Sequence, residues 1–165
     1  MRINNIHLIL TALSNALIAG LFYGYSCSVI PGLGKLNDLS YLQAMQSINR
    51  EIQNGWFFTS FFGTLLLLII TGWIQHQAGS SSVVLWVLGA LVVYAVGVVL
   101  ITAMGNVPLN DMLERHNLSG MTGPELSNLR KQFEVPWNKL HAIRTVASIL
   151  SFLLVLLSCL SGIRR

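Results

Sequence analysis

The stretch V-P-W-N-K-L-H-A-I-R at residues 135–144 continues into residues 145–163, which contain no charged side chain. This uncharged run is long enough for a membrane span. On a helix that turns about 100° per residue, one narrow arc carries Trp137, His141, Arg144, Ser148 and Ser151. Ionisable side chains beside hydrocarbon usually face a bundle interior or a wet cavity. The stretch therefore predicts a membrane helix with one functional face.

The composition indicates an integral membrane protein. Of the 165 residues, 53% are hydrophobic and only 10% are charged, whereas an average soluble domain has roughly 25% charged residues. The formal net charge of +4 does not indicate nucleic-acid binding, because no basic run is interleaved with aromatic residues. We expect a single membrane domain over residues 1–165 that contacts the lipid bilayer and binds no nucleic acid.

Four apolar segments predict the fold class, an all-α integral membrane four-helix bundle. Apolar runs of about 20 residues cross a bilayer as helices. The predicted spans are residues 6–30, 56–75, 83–104 and 137–162. The first is expected to end at Pro31 and the third at Gly105, because proline and glycine commonly end helices.

The first long connection is predicted to contain an amphipathic helix over residues 38–53. Apolar residues recur there at helical spacing, and amides together with Arg50 occupy the other positions. Such a helix lies at the membrane interface or folds over the mouth of the bundle. We call it the interfacial helix. If it covers the bundle, its Gln46 and Asn49 are placed to belong to a site.

The second long connection, residues 105–136, is predicted to contain short helices. Pro108 favours an extended conformation at Val107, the residue before it. Asn110 is placed to cap a short helix over residues 111–117, since asparagine is favoured at the position before a helix starts.

A second short helix is predicted from Thr122 to about Glu134. Thr122 and Glu125 have the spacing of a capping box, in which each residue satisfies a main-chain or side-chain group of the other. Pro136 is expected to separate this helix from the fourth span.

The charge distribution gives an expected orientation. All six acidic residues lie in the two long connections, which four spans place on the same side. Arg2, Arg164 and Arg165 lie near the span ends on the opposite side. The long connections contain more Lys and Arg in total, whereas the short chain ends contain them at a higher density. The density at the ends favours both termini inside, as in a bacterial inner membrane protein.

Several motifs resemble one family. They are Gly20 and Pro31, A-M-Q-S-I-N at 44–49, N-V-P-L-N at 106–110 and W-N-K-L-H-A-I-R at 137–144. This pattern, which covers nearly the whole chain, resembles the anthrone oxygenase-like membrane proteins, also described as a domain of unknown function. The resemblance implies a four-helix membrane protein. Fungal members are associated with oxidation of anthrones to anthraquinones, which implies an oxidoreductase that uses dioxygen.

Oxidation of a planar phenolic or lipophilic substrate by dioxygen requires a base, an oxyanion-binding group and an apolar pocket. His141 suits the base, because imidazole is poised near neutral pH. Arg144, one turn further on, suits the oxyanion, and Trp137 is placed to stack on a planar ring. Orienting amides are expected from Asn106, Asn110, Gln46 and Asn49. This chemistry requires no metal or other cofactor, and the four histidines lack metal-ligand spacing.

A second interpretation stays open. His141 and Arg144 can form the interfacial end of the span, with Trp137 as an aromatic anchor. The protein would then be a non-catalytic subunit or scaffold in a larger membrane complex or homo-oligomer. Pairing of Arg144 with Glu134 or another carboxylate would favour this interpretation. A lipid-accessible cavity ringed by His141, Arg144 and Asn106 would favour a lipophilic small-molecule substrate.

Overall fold

The computed structural model describes residues 6–163, and within that range five helices form nearly the whole chain and no strand occurs. The helices are α1 (Ile6–Leu33), α2 (Asp38–Glu51), α3 (Gly55–Gln77), α4 (Ser81–Glu114) and α5 (Gly123–Ile163). Helix α2 is the interfacial helix, and a short 3₁₀ turn, Leu118–Gly120, lies between α4 and α5. The predicted all-α four-helix membrane bundle is confirmed.

The bundle is apolar on its outer surface, and polar side chains are buried among its apolar core residues. Helices α1, α3, α4 and α5 are each long and apolar enough to cross a bilayer. Leu13 and Leu85 on the outer surface are 57% and 69% exposed, whereas ten hydroxyl and amide side chains of the spans, among them Asn15 and Ser151, are buried. The protein is therefore a multi-pass membrane protein whose apolar surface contacts lipid. Arg2, Arg164 and Arg165, on which the predicted orientation rests, lie outside the described residues.

Hydroxyl and amide groups join the spans to one another. The hydroxyls of Thr11 on α1 and Thr71 on α3 are 2.8 Å apart. Ser151 on α5 donates to Oδ1 of Asn15 at 2.9 Å and lies 3.1 Å from the carbonyl oxygen of Ala90 on α4. Each such bond contributes about 0.6 kcal/mol in a membrane, so several of these bonds together with close packing hold the spans to one another.

Helix α1 passes through the proline that was predicted to end it. Pro31 lies inside the helix, which ends at Leu33, so the predicted end was wrong. Residues Tyr25–Val29 form a π-helical turn just before the proline, and the N–H of Ile30 bonds to the carbonyl of Tyr25. The wider turn makes room for the proline ring, which a regular α-turn would not.

Helix α4 likewise continues past Pro108 and ends at Glu114. The prediction that the helix ends at Gly105 was therefore wrong. Val107, predicted to be extended, is helical with φ −61° and ψ −50°. A π-helical turn, Thr102–Asn106, again precedes the proline. The predicted cap at Asn110 was also wrong, because the helix it was to start is a continuation of α4.

Helix α5 begins at the predicted capping box and continues through Pro136 for 41 residues. The main-chain N–H and the hydroxyl of Thr122 both donate to the Glu125 carboxylate at 2.7 Å, which confirms the predicted helix start. The predicted break at Pro136 was wrong. An interior proline costs about 3 kcal/mol, but burial on both sides offsets it, since Phe133 and Trp137 are at most 5% exposed.

The interfacial helix packs over the ends of α4 and α5. Its Tyr41, Leu42 and Met45 are buried against a cluster that includes Leu113 and Phe133. The predicted amphipathic helix is confirmed, and it covers the mouth of the bundle. Burial raises the pKa of the Tyr41 phenol, which therefore stays neutral.

Polar contacts fix the interfacial helix in place. Gln46 donates to the carbonyls of Leu113 and His116 at 3.0 and 3.1 Å. At the start of the helix, Arg130 of α5 forms an ion pair with Asp38 at 3.0 Å. These contacts hold both ends of the helix against the bundle.

Helices α4 and α5 approach closely at Gly97. A Cβ atom at this position would lie 2.5 Å from the Cβ of Ala147, well inside contact distance. Small residues allow such close approach, which is a main source of helix association in a bilayer.

Gly97→Ala is expected to destabilise the protein by about 1–3 kcal/mol, because the added methyl group overpacks the contact with Ala147. Gly63→Ala in α3 is the matched control, since its Cβ would meet nothing within 4 Å. The measurement is the midpoint of thermal unfolding of both variants in the same detergent. Equal midpoints for the two variants would contradict the close approach of α4 and α5.

Candidate functional site

A cavity of about 280 Å³ lies below the interfacial helix, between α1, α3, α4 and α5. This volume is close to the lower end of the roughly 300–1,000 Å³ that small-molecule sites occupy. Most of the wall is apolar. The aromatic residues that line it are Phe22, Tyr25, Phe57, Phe58, Phe61, Phe62 and Trp137.

The structure brings most of the predicted site residues to this cavity. Those that line it are His141, Arg144, Trp137, Asn106, Asn110 and Asn49. Gln46 does not line it, because its amide is bonded to the end of α4. Helical spacing explains the grouping, since residues three or four apart in sequence lie on one face of a helix.

Arg144 is buried, with 6% of its surface exposed, and neutral groups surround it. Its Nη2 donates to Nδ1 of His141 and its Nη1 to the hydroxyl of Thr102, both at 3.1 Å. The guanidinium carbon lies 4.8 Å from the ring centre of Phe22. Among residues 6–163, no carboxylate lies within ion-pair distance of Arg144. A buried cation without a carboxylate is costly, so this charge is available to an anionic group.

The hydrogen bonds of His141 determine which ring nitrogen carries the proton. A guanidinium only donates, so Nδ1 of His141 accepts from Arg144. Nε2 lies 3.2 Å from the carbonyl oxygen of Phe22, which only accepts, so Nε2 carries the hydrogen. Both nitrogens of a neutral ring are thus occupied. His141 holds Arg144 in place, and accepting a proton from a substrate requires the guanidinium to release Nδ1.

An aromatic stack supports this pair. The rings of Trp137 and His141 are nearly parallel, 5.1 Å apart with an interplanar angle of 8°. Tyr25 packs against both rings at 5.5 and 5.2 Å. The indole N–H of Trp137 donates to Oδ1 of Asn110 at 2.8 Å. Asn110 therefore orients Trp137 instead of capping a helix, and His141 already covers one face of the indole.

Three buried polar atoms on the cavity wall have no hydrogen-bond partner. They are two donors, Nε of Arg144 and Nδ2 of Asn49, and one acceptor, Oδ1 of Asn106. A buried polar group without a partner costs about 1–3 kcal/mol. Because the three residues line the same cavity, they favour a ligand that offers both hydrogen-bond acceptors and a donor.

The cavity reaches the lipid-facing surface between α3 and α4. The hydroxyl of Tyr94 donates to the carbonyl of Phe61 at 2.8 Å, and the contacts of α3 with α4 concentrate on Ser81–Tyr94. Nearer the interfacial helix, Phe62 and Val107 line the cavity although they are 52% and 41% exposed. An apolar molecule in the bilayer therefore has a lateral route to the cavity.

Sequence reasoning missed several lining residues. Tyr25 lies in a π-helical turn, which an apolar pattern does not reveal. The phenylalanines of α3 gave a usable signal, because the pairs Phe57-Phe58 and Phe61-Phe62 are one helical turn apart and form a continuous aromatic face.

Within the described range, residues 6–163, no three His, Cys, Asp or Glu side chains come together as a metal-binding group. Of the histidines other than His141, His7 lies 2.9 Å from the amide of Gln75 and His116 lies 2.8 Å from the carbonyl of Met112. Both are engaged elsewhere in the fold.

A model of the anthrone oxygenase family matches residues 56–154, which is more than half of the chain. The chain belongs to the anthrone oxygenase family. The family match includes the cavity residues of α4 and α5, whereas the interfacial helix lies outside it. Neither the curated proteins nor the solved structures include a significant match. The resemblance noted in the sequence is confirmed.

In this member of the anthrone oxygenase family, His141 is expected to carry its proton on Nε2, because Arg144 donates to Nδ1. Solid-state ¹⁵N NMR of histidine-labelled protein in lipid distinguishes the two tautomers, and His141→Gln assigns the signals by their loss. Arg144→Met should shift the Nδ1 resonance by removing its donor. A proton on Nδ1 in the wild-type protein would contradict the geometry.

Proposed function

We propose that the protein is an oxidoreductase that uses dioxygen, without a bound cofactor, to oxidise a planar lipophilic phenol or enol of the anthrone type. The observation that carries this proposal is Arg144. It is a buried cation with no carboxylate partner among the described residues, its Nε has no hydrogen-bond partner, and the residue lines an aromatic cavity. Membership of the anthrone oxygenase family supports the same substrate class.

An enolate oxygen is a suitable ligand for Arg144. Charge-assisted hydrogen bonds to a guanidinium are stronger than neutral ones, and low local polarity strengthens them further. The rings of Phe22, Phe57 and Phe61 supply apolar surface for a fused-ring substrate. Because the enolate binds more tightly than the neutral ketone, the site favours loss of the substrate proton.

The proposed reaction balances with dioxygen alone. The enol form of anthrone loses its hydroxyl proton, and the resulting anion gives an electron pair to dioxygen as a carbon–oxygen bond forms at the carbon opposite the oxygen. The hydroperoxide then loses water, which leaves a second carbonyl group. One anthrone and one dioxygen thus give one anthraquinone and one water.

His141 is the proposed base, acting through Nδ1. In the structure, Nδ1 is bonded to Nη2 of Arg144. When a substrate oxygen takes over that N–H, Nδ1 is released and becomes free to accept the substrate proton. Binding of the oxyanion and exposure of the base are then one event. Asn106 is proposed to orient substrates that carry a phenolic hydroxyl, which would donate to its unpartnered Oδ1.

The alternative is a non-catalytic scaffold. Glu134, the carboxylate whose pairing with Arg144 would have supported it, is bonded to Arg130 at 2.6 Å. A partner in a larger membrane complex, a homo-oligomer and a bacterial inner membrane location stay predictions.

Arg144→Met is expected to lower kcat/KM for anthrone at least 100-fold, as loss of an oxyanion-binding donor does in other enzymes. Arg144→Lys should retain an intermediate activity, because it keeps the charge but loses the guanidinium geometry. Arg50→Met is the matched control, since Arg50 is exposed and pairs with Glu114 away from the cavity. Activity is measured in nanodiscs as oxygen consumption and anthraquinone absorbance.

Protein-free nanodiscs correct for spontaneous oxidation of anthrone. Wild-type protein that neither binds anthrone nor accelerates oxygen consumption would overturn the proposed function. So would equal activity of the Arg144→Met and Arg50→Met variants.

A further inference from the structure

The proposed binding of one oxyanion by Arg144 gives no role to Asn49, a second polar residue of the cavity wall. It lies on the interfacial helix, is 6% exposed and lines the cavity wall. Its Nδ2 has no hydrogen-bond partner. The neighbouring Gln53 bonds to the main-chain carbonyl of Asn49 and leaves the side-chain donor unsatisfied.

We propose that Asn49 binds a second acceptor oxygen of the ligand, the oxygen that oxidation adds. This inference rests on the proposed function. Arg144 belongs to α5 and Asn49 to the interfacial helix, so the two donor residues form different walls of one cavity. A planar molecule with acceptor oxygens on opposite edges, as in a quinone, satisfies both donors.

The interfacial helix is held firmly enough for Asn49 to bind such an oxygen at a defined position. Gln46, one turn before Asn49, bonds to two carbonyls at the end of α4. The buried face of the helix packs on the same cluster as Phe133 of α5. Asn49 is therefore a specificity-determining residue on a segment that lies outside the family match.

The affinities of anthrone and anthraquinone for the cavity should depend on Asn49 to different extents. Anthraquinone carries a carbonyl at the carbon where anthrone carries two hydrogens, so only anthraquinone accepts from the amide. A hydrogen bond to a buried neutral donor changes affinity by about five- to tenfold. Anthrone loses nothing when the amide is removed, because it makes no bond there.

The test compares Kd values of anthrone and anthraquinone for the full chain in nanodiscs without oxygen, using quenching of tryptophan fluorescence. Asn49→Leu removes the amide at similar size, and Asn49→Asp keeps the shape but replaces the donor by an acceptor. We expect the Kd of anthraquinone to rise about five- to tenfold in Asn49→Leu and at least as much in Asn49→Asp. The Kd of anthrone should change less than twofold in both.

A loss of affinity that is equal for the two ligands would mean that Asn49 acts only on the packing of the interfacial helix, and would overturn the inference. Unchanged affinity for anthraquinone in both variants would overturn it as well. In either case anthrone binding that still depends on Arg144 leaves the proposed function intact. Wild-type protein that binds neither ligand overturns both.

Discussion

A buried guanidinium with no carboxylate within ion-pair distance among residues 6–163 is the constraint on which this structure depends. In that part of the chain, Arg144 is stabilised by neutral groups, and they come from several helices. Its own helix supplies Nδ1 of His141, α4 supplies the hydroxyl of Thr102, and α1 supplies the ring of Phe22. The carbonyl of Phe22 also fixes the imidazole. Three spans must therefore align at one depth, because a shift of any of them would leave a buried cation with fewer partners.

The same depth is where the helices depart from regular α geometry. Tyr25–Val29 in α1 and two segments of α4, Ala95–Leu100 and Thr102–Asn106, are π-helical, and all three contribute side chains to the cavity. Such turns occur frequently at functional sites, because they redirect side chains without ending the helix. Here they also precede the prolines of both helices. The π-helical turns therefore allow α1 and α4 to continue beyond the cavity, and they also direct side chains of both helices toward it.

The spans and the polar face of α5 were predictable from the sequence because hydropathy and helical spacing are local properties. The helix ends were not, since continuation through Pro31, Pro108 and Pro136 depends on wider turns or on packing from other helices. Asn110 and Gln46 show the same limit at single residues. Both amides were assigned a plausible local or site role, but their bonds go to Trp137 and to the end of α4, on partners distant in sequence. That the amide of Asn49 lacks a hydrogen-bond partner can be recognised only from the three-dimensional structure.

The length of α5 has a consequence for where reactants meet. At 1.5 Å per residue its 41 residues extend about 60 Å, twice the roughly 30 Å hydrocarbon core of a bilayer. About half of the helix therefore stands outside the core, beside the interfacial helix, and His141 and Arg144 lie near its middle. The cavity then lies where the hydrocarbon core of the bilayer meets the aqueous phase. For the proposed reaction, dioxygen and fused-ring compounds, which concentrate in hydrocarbon, would arrive from one side, while protons and product water would leave toward the aqueous side.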